Sequence, residues 1–416
     1  MKLAYLLTLL ASSQCAVTAA TPRDGPQGTT HSTRAGFVHP GLLHTEADFT
    51  RIKSYVNGKK APWITGWNKL AAHANPSYSP RAVETLCRGS SSDCTENYAN
   101  LYRDASVAYV NAIYWKVTGD TKYADNAGKI LDAWSGILKQ IWGSGDKFLA
   151  SGLYGYQLAN AGEILRGYSG WKGLSGLVTM LKTVFYPMNH SFLTKHNDAK
   201  IDHYWANWDL CNLAAMHAIG VLADDSTIAN EAITYFKSGG GNGAIEKFIW
   251  KLHTEPGSSK TLGQGQEAGR DQGHATLDFS LVGVLAQQAY NQGQDLFGYL
   301  SNRILAGILT FHFLASSEYM AKYNVGKDVP YSTYTNSDVT QTVINTNSRG
   351  NIRPMGELLY AHYGSLKGLN ASWTKAYRDL VVSNGGGAEG GGGDYGTSSG
   401  GYDQLGFGTV LFRLEA

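Results

Sequence analysis

The sequence predicts an all-α fold: a single ring of about six to seven helical hairpins with long loops on one rim. Two observations carry that expectation. From Phe37 onward, apolar residues recur at three- and four-residue spacing in block after block, the period of an amphipathic helix rather than a strand. The blocks come in pairs over roughly 300 residues, with no stretch of alternating strand residues and no composition shift to announce a second domain.

The elements follow in chain order. Residues 1–20 open with Lys2, run apolar from Leu3 to Leu10 and end in small residues around Val17-Thr18-Ala19-Ala20, the three parts of a secretory signal peptide. That run falls short of the roughly 20 residues that span a bilayer, and no later stretch reaches them, so a secreted, extracellular protein without a membrane segment is expected. Residues 21–35 are rich in Thr, Gly, Pro and Arg without apolar periodicity and read as a disordered leader. One folded domain is expected over 36–416. Its first clear hairpin pairs Tyr102–Val117 with Lys122–Leu138 across Thr118-Gly119-Asp120. Tyr154–Tyr168 pairs with Gly173–Phe185, Trp205–Leu222 with Thr227–Ser238, and Gly273–Gln292 with Leu296–Ser316. The long connections run from Asn189 to His203, Thr254 to Gly273, Tyr323 to Arg353 and Asn384 to Gly401. The last is Gly-rich, but the apolar content of Tyr402–Phe412 returns it to the rim rather than leaving it a free tail.

Composition narrows the function. A net charge of +2 with 16% charged residues gives no basic stripe for nucleic acid, so an anionic ligand must be held by local groups. The 25 Tyr and 10 Trp supply flat faces with a polar handle, which suit sugar rings as well as core packing. Cys87 and Cys94 flank a short flexible loop and are expected to form a disulfide, whereas Cys211 lies in an apolar helical pattern and reads as a buried thiol. The sequons at Asn189 and Asn370 are candidate glycosylation sites and are then expected at the surface.

Two segments concentrate polar chemistry. Asp202-His203-Tyr204-Trp205-Ala206-Asn207-Trp208-Asp209 opens a core helix, and Gln264-Gly265-Gln266-Glu267-Ala268-Gly269-Arg270-Asp271-Gln272-Gly273-His274 leads into another. A helical start there puts Arg270 and His274 on one face, four residues apart. These residue types match the needs of β-elimination from a 4-linked uronate: its carboxylate must be neutralised, the C5 proton removed and the departing O4 protonated. Arg270 offers a forked pair to the carboxylate, Asn207 an amide donor, and His274 a donor or a base. A Tyr is a further proton carrier, and Tyr323, where a helix gives way to Asn324 and Gly326, is favoured. Tyr204, Trp208, Gln266, Glu267, Tyr319 and Arg353 are the candidate substrate-binding residues, with an internal Arg353–Glu357 pair as the structural alternative for Arg353.

Several stretches carry a family resemblance: Phe37-Val38-His39-Pro40-Gly41-Leu42-Leu43-His44-Thr45, Asn207-Trp208 with Asn212–Met216, Glu267-Ala268-Gly269-Arg270-Asp271-Gln272-Gly273-His274, and Arg353-Pro354. Together they resemble the alginate-lyase-like family of secreted α/α-toroid polysaccharide lyases. The resemblance implies an (α/α) barrel, cleavage of mannuronan or glucuronan, an acidic polysaccharide as partner, and no required metal or cofactor. The chain departs from the better-known members in two places: Ile201-Asp202 stands where an Asn-His pair precedes their Tyr-Trp, and Leu277 stands where their catalytic Tyr follows the Arg. A monomer is expected. Two rival readings are a glycoside hydrolase using Glu267 with Asp271, Asp202 or Asp209, and a non-catalytic binder of acidic glycans. The hydrolase needs two carboxyls flanking one bond, which an i,i+4 pair on one helix face does not supply.

Overall fold

The computed structural model describes residues 36–300, 304–305, 308–309 and 312–415; the expected signal peptide and leader lie outside the described residues. Residues Gly36–Ala416 group as one compact unit. It begins with α1 (Glu46–Asn57) and α2 (Trp63–His73), followed by α3 (Ala99–Thr118), α4 (Thr121–Ile137), α5 (Lys147–Leu165), α6 (Leu174–Met180) and α7 (Tyr186–Lys195). Next come α8 (Ala206–Leu222), α9 (Ser226–Ser238), α10 (Ile245–Phe248), α11 (Gln272–Asn291) and α12 (His312–Asn324). The series ends with α13 (Gly356–Tyr360), α14 (Ser372–Asn384) and α15 (Gly408–Leu411).

Local chemistry sets the hairpin turns. Gly119 takes the left-handed conformation (φ 81°) that ends α3, and the Asp120 side chain then caps α4 by accepting from Lys122 N. Asp225 does the same between α8 and α9, accepting from Thr227 N and Ile228 N at 3.2 and 3.3 Å. The two helices of a pair differ in character. Nearly every residue of α5 and α8 is buried, whereas α4 and α9 bury one stripe and expose the other, so the first kind lines the interior and the second the outside. The inner helices are neighbours in sequence order: α3 packs on α5, α5 on α8 and α8 on α11. Helix α12 packs on α14 and α14 on α13, and α15 then packs on α1, α2 and α13, which returns the chain to its beginning. Trp63 Nε1 and Arg51 Nη2 fasten this closure by donating to the carbonyls of Arg413 and Leu411 at 2.9 and 2.7 Å.

Strands are short and lie among the connections. Parallel β1 (Thr85–Cys87) and β2 (Gln140–Trp142) pair in register Thr85 to Gln140, and β3 (Ile249–Thr254) pairs antiparallel with β4 (Thr261–Gly265). Two further two-residue pairs are β5 (Ile304–Leu305) with β6 (Ile308–Leu309) and β7 (Tyr334–Thr335) with β8 (Thr340–Gln341). They correct the expectation of a helix over Leu296–Ser316. The short strands β5 and β6 lie within that apolar run, and α12 is described from His312. Asn189 lies inside α7 rather than in a long loop.

The Cys87–Cys94 disulfide is present and Cys211 is a buried thiol, held protonated chiefly by burial. The Gly-rich segment does fold back: Tyr156 Oη and Gln157 Nε2 donate to the carbonyls of Asp403 and Tyr402 at 2.5 and 2.7 Å. The two sequons separate. Asn370 is exposed, whereas Asn189 is fully buried, its Nδ2 donating to Asn212 Oδ1 at 2.7 Å, so the folded chain has no room for a glycan there. No described helix is long and apolar enough to cross a membrane.

Candidate active site

The two chemistry-rich segments meet where α8 and α11 begin. The chain enters α11 from β4 through a tight turn, in which Ala268 N donates to Gly265 O and Arg270 N to Glu267 O. A Cβ at Gly269 would lie 2.4 Å from the Tyr331 hydroxyl, so a side chain there would have to displace that tyrosine. The loop around Asn345 braces the turn from outside: its N donates to Ala268 O at 3.1 Å and its Nδ2 to Arg270 O at 2.7 Å. Asp271 ends the turn as the N-cap of α11, accepting from His274 N at 2.9 Å.

Glu267 is the centre of the arrangement and is fully buried. Its Oε1 accepts from Asn207 Nδ2 at 2.6 Å and from Asn207 N at 3.0 Å, and its Oε2 accepts from Arg270 Nη1 at 2.7 Å. One carboxylate thus sets the positions of a residue on α8 and a residue 63 places later, and charge-assisted hydrogen bonds of this kind are the strong ones. The Arg270 guanidinium lies 5.0 Å from the Trp205 ring, and the side chain stays partly exposed. His274 is the most open of the three, with a side chain 40% exposed and Nδ1 bonded to Asp271 Oδ2 at 2.6 Å. That bond engages Nδ1 and leaves Nε2 as the ring nitrogen not held by Asp271. Burial pulls the Asp271 carboxyl up, but the His274 ring and backbone N–H and the nearby Arg270 charge outweigh it, so Asp271 stays ionised below the usual carboxylate range. The N-termini of α8 and α11 add their partial positive charge to this region.

Behind Glu267 lies a residue the sequence reading passed over. Asp278, one turn beyond His274 on α11, is buried, and burial together with the Glu267 carboxylate pushes its carboxyl well above the ordinary value. Both causes favour its protonated form. An acidic residue between Leu277 and Phe279 in an otherwise apolar run was the available signal.

The other candidates divide. Tyr204 and Trp208 form a half-buried aromatic wall, their rings 4.7 Å apart, with the Tyr204 hydroxyl accepting from Asn197 Nδ2 at 2.9 Å. Gln266 is fully buried and supports rather than faces a ligand: its Oε1 accepts from Ala206 N at 3.1 Å and its Nε2 donates to the Tyr334 hydroxyl at 2.9 Å. Glu267 likewise acts through Asn207 and Arg270. Tyr323 is corrected as proton carrier, since the Arg349 guanidinium covers its ring at 3.9 Å. Tyr319 is packed with Leu262 and Ala268 and takes a place in the wall behind the site. Arg353 is also corrected: it is buried, with Nη1 on Gln404 Oε1 at 2.8 Å and on Asp403 Oδ2 at 3.4 Å. Its expected partner Glu357 instead holds Arg413, at 2.6 Å.

The acids of the hydrolase reading are engaged elsewhere. Both oxygens of Glu267 are occupied, and Asp271 holds His274. Asp209 is buried against His196 and Gly243 N, and Asp202 caps the backbone at Ser337. Among the described residues, no group of three or more His, Cys, Asp or Glu is placed to hold a metal ion.

No protein-family model and no curated protein matches the sequence. Solved structures do match in shape. An alginate lyase from Bacteroides ovatus aligns with TM-score 0.54 and 11% identity over 91% of this chain and 100% of its own. A variant of alginate lyase A1-III in its apo form aligns with TM-score 0.55 and 12% identity over 92% and 98%. Alginate lyase A1-III from Sphingomonas species A1 gives 0.50 and 11% over 79% and 90%. At these identities the likeness speaks for architecture, and the ring of helical hairpins described above is the α/α-toroid fold of the alginate lyases.

Proposed function

We propose that the protein is a polysaccharide lyase that cleaves a 4-linked polyuronate, glucuronan or mannuronate-rich alginate, by β-elimination. The observation that carries this reading is the Glu267 bridge, which holds the Asn207 amide and the Arg270 guanidinium together beside an Asp271-backed histidine. Arg270 and Asn207 neutralise the uronate carboxylate and so acidify the C5 proton. His274 Nε2 takes that proton. The C5–H electron pair becomes the C4=C5 double bond, and the C4–O4 pair departs with O4. Where H5 and O4 share a ring face, as in glucuronate and mannuronate, the imidazolium returns its proton to O4. The fold shared with alginate lyases is consistent with this chemistry. A secreted protein working alone on an extracellular acidic glycan completes the proposal.

The test is incubation with glucuronan, alginate blocks and a neutral glucan. Ultraviolet absorbance of the conjugated unsaturated uronate is expected from the charged polymers only. New reducing ends without that absorbance would establish hydrolysis instead, and binding with neither product would leave the non-catalytic reading.

A further inference from the structure

A strap of extended chain, Val38 to Leu43, crosses the ends of the inner helices away from the candidate site. Helices α8 and α11 begin at that site and run for 17 and 20 residues, so their last turns lie roughly 25–30 Å from it. At this far end Gln292 grips the strap: its Oε1 accepts from Val38 N at 2.9 Å, and its Nε2 donates to Val38 O at 3.0 Å and to Gly41 O at 2.6 Å. Asn291 Nδ2 donates to Leu42 O at 2.6 Å. On the α5 side, Gly41 N donates to Glu163 Oε1 at 3.1 Å and Leu43 N to Asn160 Oδ1 at 3.0 Å.

His39 ties the strap to two further points. Its Nδ1 lies 2.6 Å from Glu163 Oε1, in the last turn of α5, and its Nε2 lies 2.9 Å from Asp224 Oδ1, in the turn between α8 and α9. Arg166 completes a square of four groups, with Nε 3.4 Å from Glu163 Oε2 and Nη1 3.3 Å from Asp224 Oδ2. An ionised carboxylate only accepts, so both imidazole nitrogens must donate, and the imidazolium alone has two N–H groups. A neutral imidazole would set a lone pair against one of the two carboxylates. Glu163 is buried and stays an acceptor, since it also meets Gly41 N and Arg166. The carbonyl ends of α5 and α8 add partial negative charge to the same spot.

The charged groups facing His39 are therefore Glu163 and Arg166 from α5 and Asp224 from the turn, while α11 contributes the neutral Asn291 and Gln292. Asp225, next in the chain, is turned to Lys182 at 2.8 Å. Burial works against a charge on His39, but its bonds to Glu163 and Asp224 outweigh burial and the Arg166 charge, and the imidazole titrates above its ordinary value.

We propose that His39 is a pH-dependent clasp: as imidazolium it locks the strap across the far ends of α5, α8 and α11, and on losing its proton it lets the strap go. The stabilisation is fully present below the ordinary histidine value of about 6.5 and is lost as pH rises through the higher value of the folded protein. Acidic surroundings keep the far end of the fold fastened and alkaline ones loosen it. The clasp does not depend on what the protein cleaves.

The experiment measures hydrogen exchange of the strap amides in the full chain, as protection corrected for the intrinsic rate, from about pH 5 to about pH 9, on both sides of the ordinary histidine value. Protection of Gly41 and Leu43 should fall about tenfold to a hundredfold through the titration of His39, the range for one lost hydrogen bond to a charged group, while the middle of α8 stays protected. His39→Gln carries no charge and should show the lower protection already at acid pH, without that titration. Asp224→Asn, which serves if the Gln variant fails to fold, can donate to a neutral imidazole and should move the fall to lower pH. Constant strap protection in the parent protein, an equal fall in His39→Gln, or an unmoved fall in Asp224→Asn would overturn the proposal.

Discussion

Replacing Glu267 by Gln tests the bridge that joins the two halves of the candidate site. The carboxylate offers two acceptor oxygens, one facing the two N–H groups of Asn207 and the other facing Arg270 Nη1. An amide has one oxygen and one NH2 group, so in either orientation a donor is pushed against a donor. The minimum loss is one hydrogen bond to a charged group, about 1.5–3 kcal/mol. If the lost order is felt in the transition state, kcat/KM for a polyuronate falls about 10- to 150-fold. The loss should appear mainly in kcat, because Arg270 and Asn207 still surround the substrate but no longer meet its carboxylate in a fixed geometry. The assay is initial-rate formation of unsaturated uronate, alongside a thermal melt to confirm that the fold persists. A folded Glu267→Gln protein with unchanged kcat/KM would refute the idea that this carboxylate organises catalysis.

Other outcomes follow from the same geometry. Arg270→Lys retains charge but cannot serve Glu267 and a substrate carboxylate together, and turnover should drop at least tenfold, as measured by product absorbance. Asp271→Asn leaves the His274 ring without an anion behind it and should lower kcat by about a hundredfold, with the pH profile of kcat displaced; an unaltered profile would detach Asp271 from the base. Stability should carry a separate pH signature at Glu389. Burial, then the neighbouring Glu357, raise its carboxyl to about 8, so the folded state keeps a proton that the unfolded chain gives up near the ordinary carboxylate value. The contribution is fully present below that ordinary value and is lost as pH rises through about 8. Glu389→Gln should therefore narrow the decline in melting temperature between about pH 5 and about pH 8, and an equal decline in both proteins would refute the assignment.

The features legible in the sequence are those with short-range causes. Helical period, the turn at Gly119 with Asp120 and the disulfide all depend on residues within a few positions of one another, whereas the expected helical face shared by Arg270 and His274 does not form, because Asp271 is the extended N-cap of α11 and Arg270 lies in the turn before it. The misread features have distant causes. Arg353 resembles a ligand-binding residue until Asp403, 50 residues away, is brought against it. Tyr323 sits at the end of a helix as expected, but Arg349 lies on its ring, and the helical period alone does not reveal which neighbour covers which face. The Asn189 sequon is a three-residue pattern, whereas its burial depends on Asn212 in another helix. The run near Ile304 failed for another reason: a few apolar residues fit a short strand as well as part of a helix. In the sequence Glu267 reads as a residue that touches substrate, whereas its partners, Asn207 and Arg270, give it an organising role.

The return of α15 to α1 and α2 bears on how the molecule comes to exist. Trp63 meets the carbonyl of Arg413 across 350 positions of sequence, and Arg51 meets that of Leu411 across 360. Contacts of such separation pay a large loop-closure entropy before they give anything back, so they form late and slow the whole chain. Helices α1 and α2 are made some 350 positions before this partner, and until it appears they have each other and α3 to pack on. The interval before the ends meet is when this protein is most exposed to aggregation, and substitutions at Trp63 or Arg51 should reveal themselves in folding yield before they do in the activity of molecules that have closed.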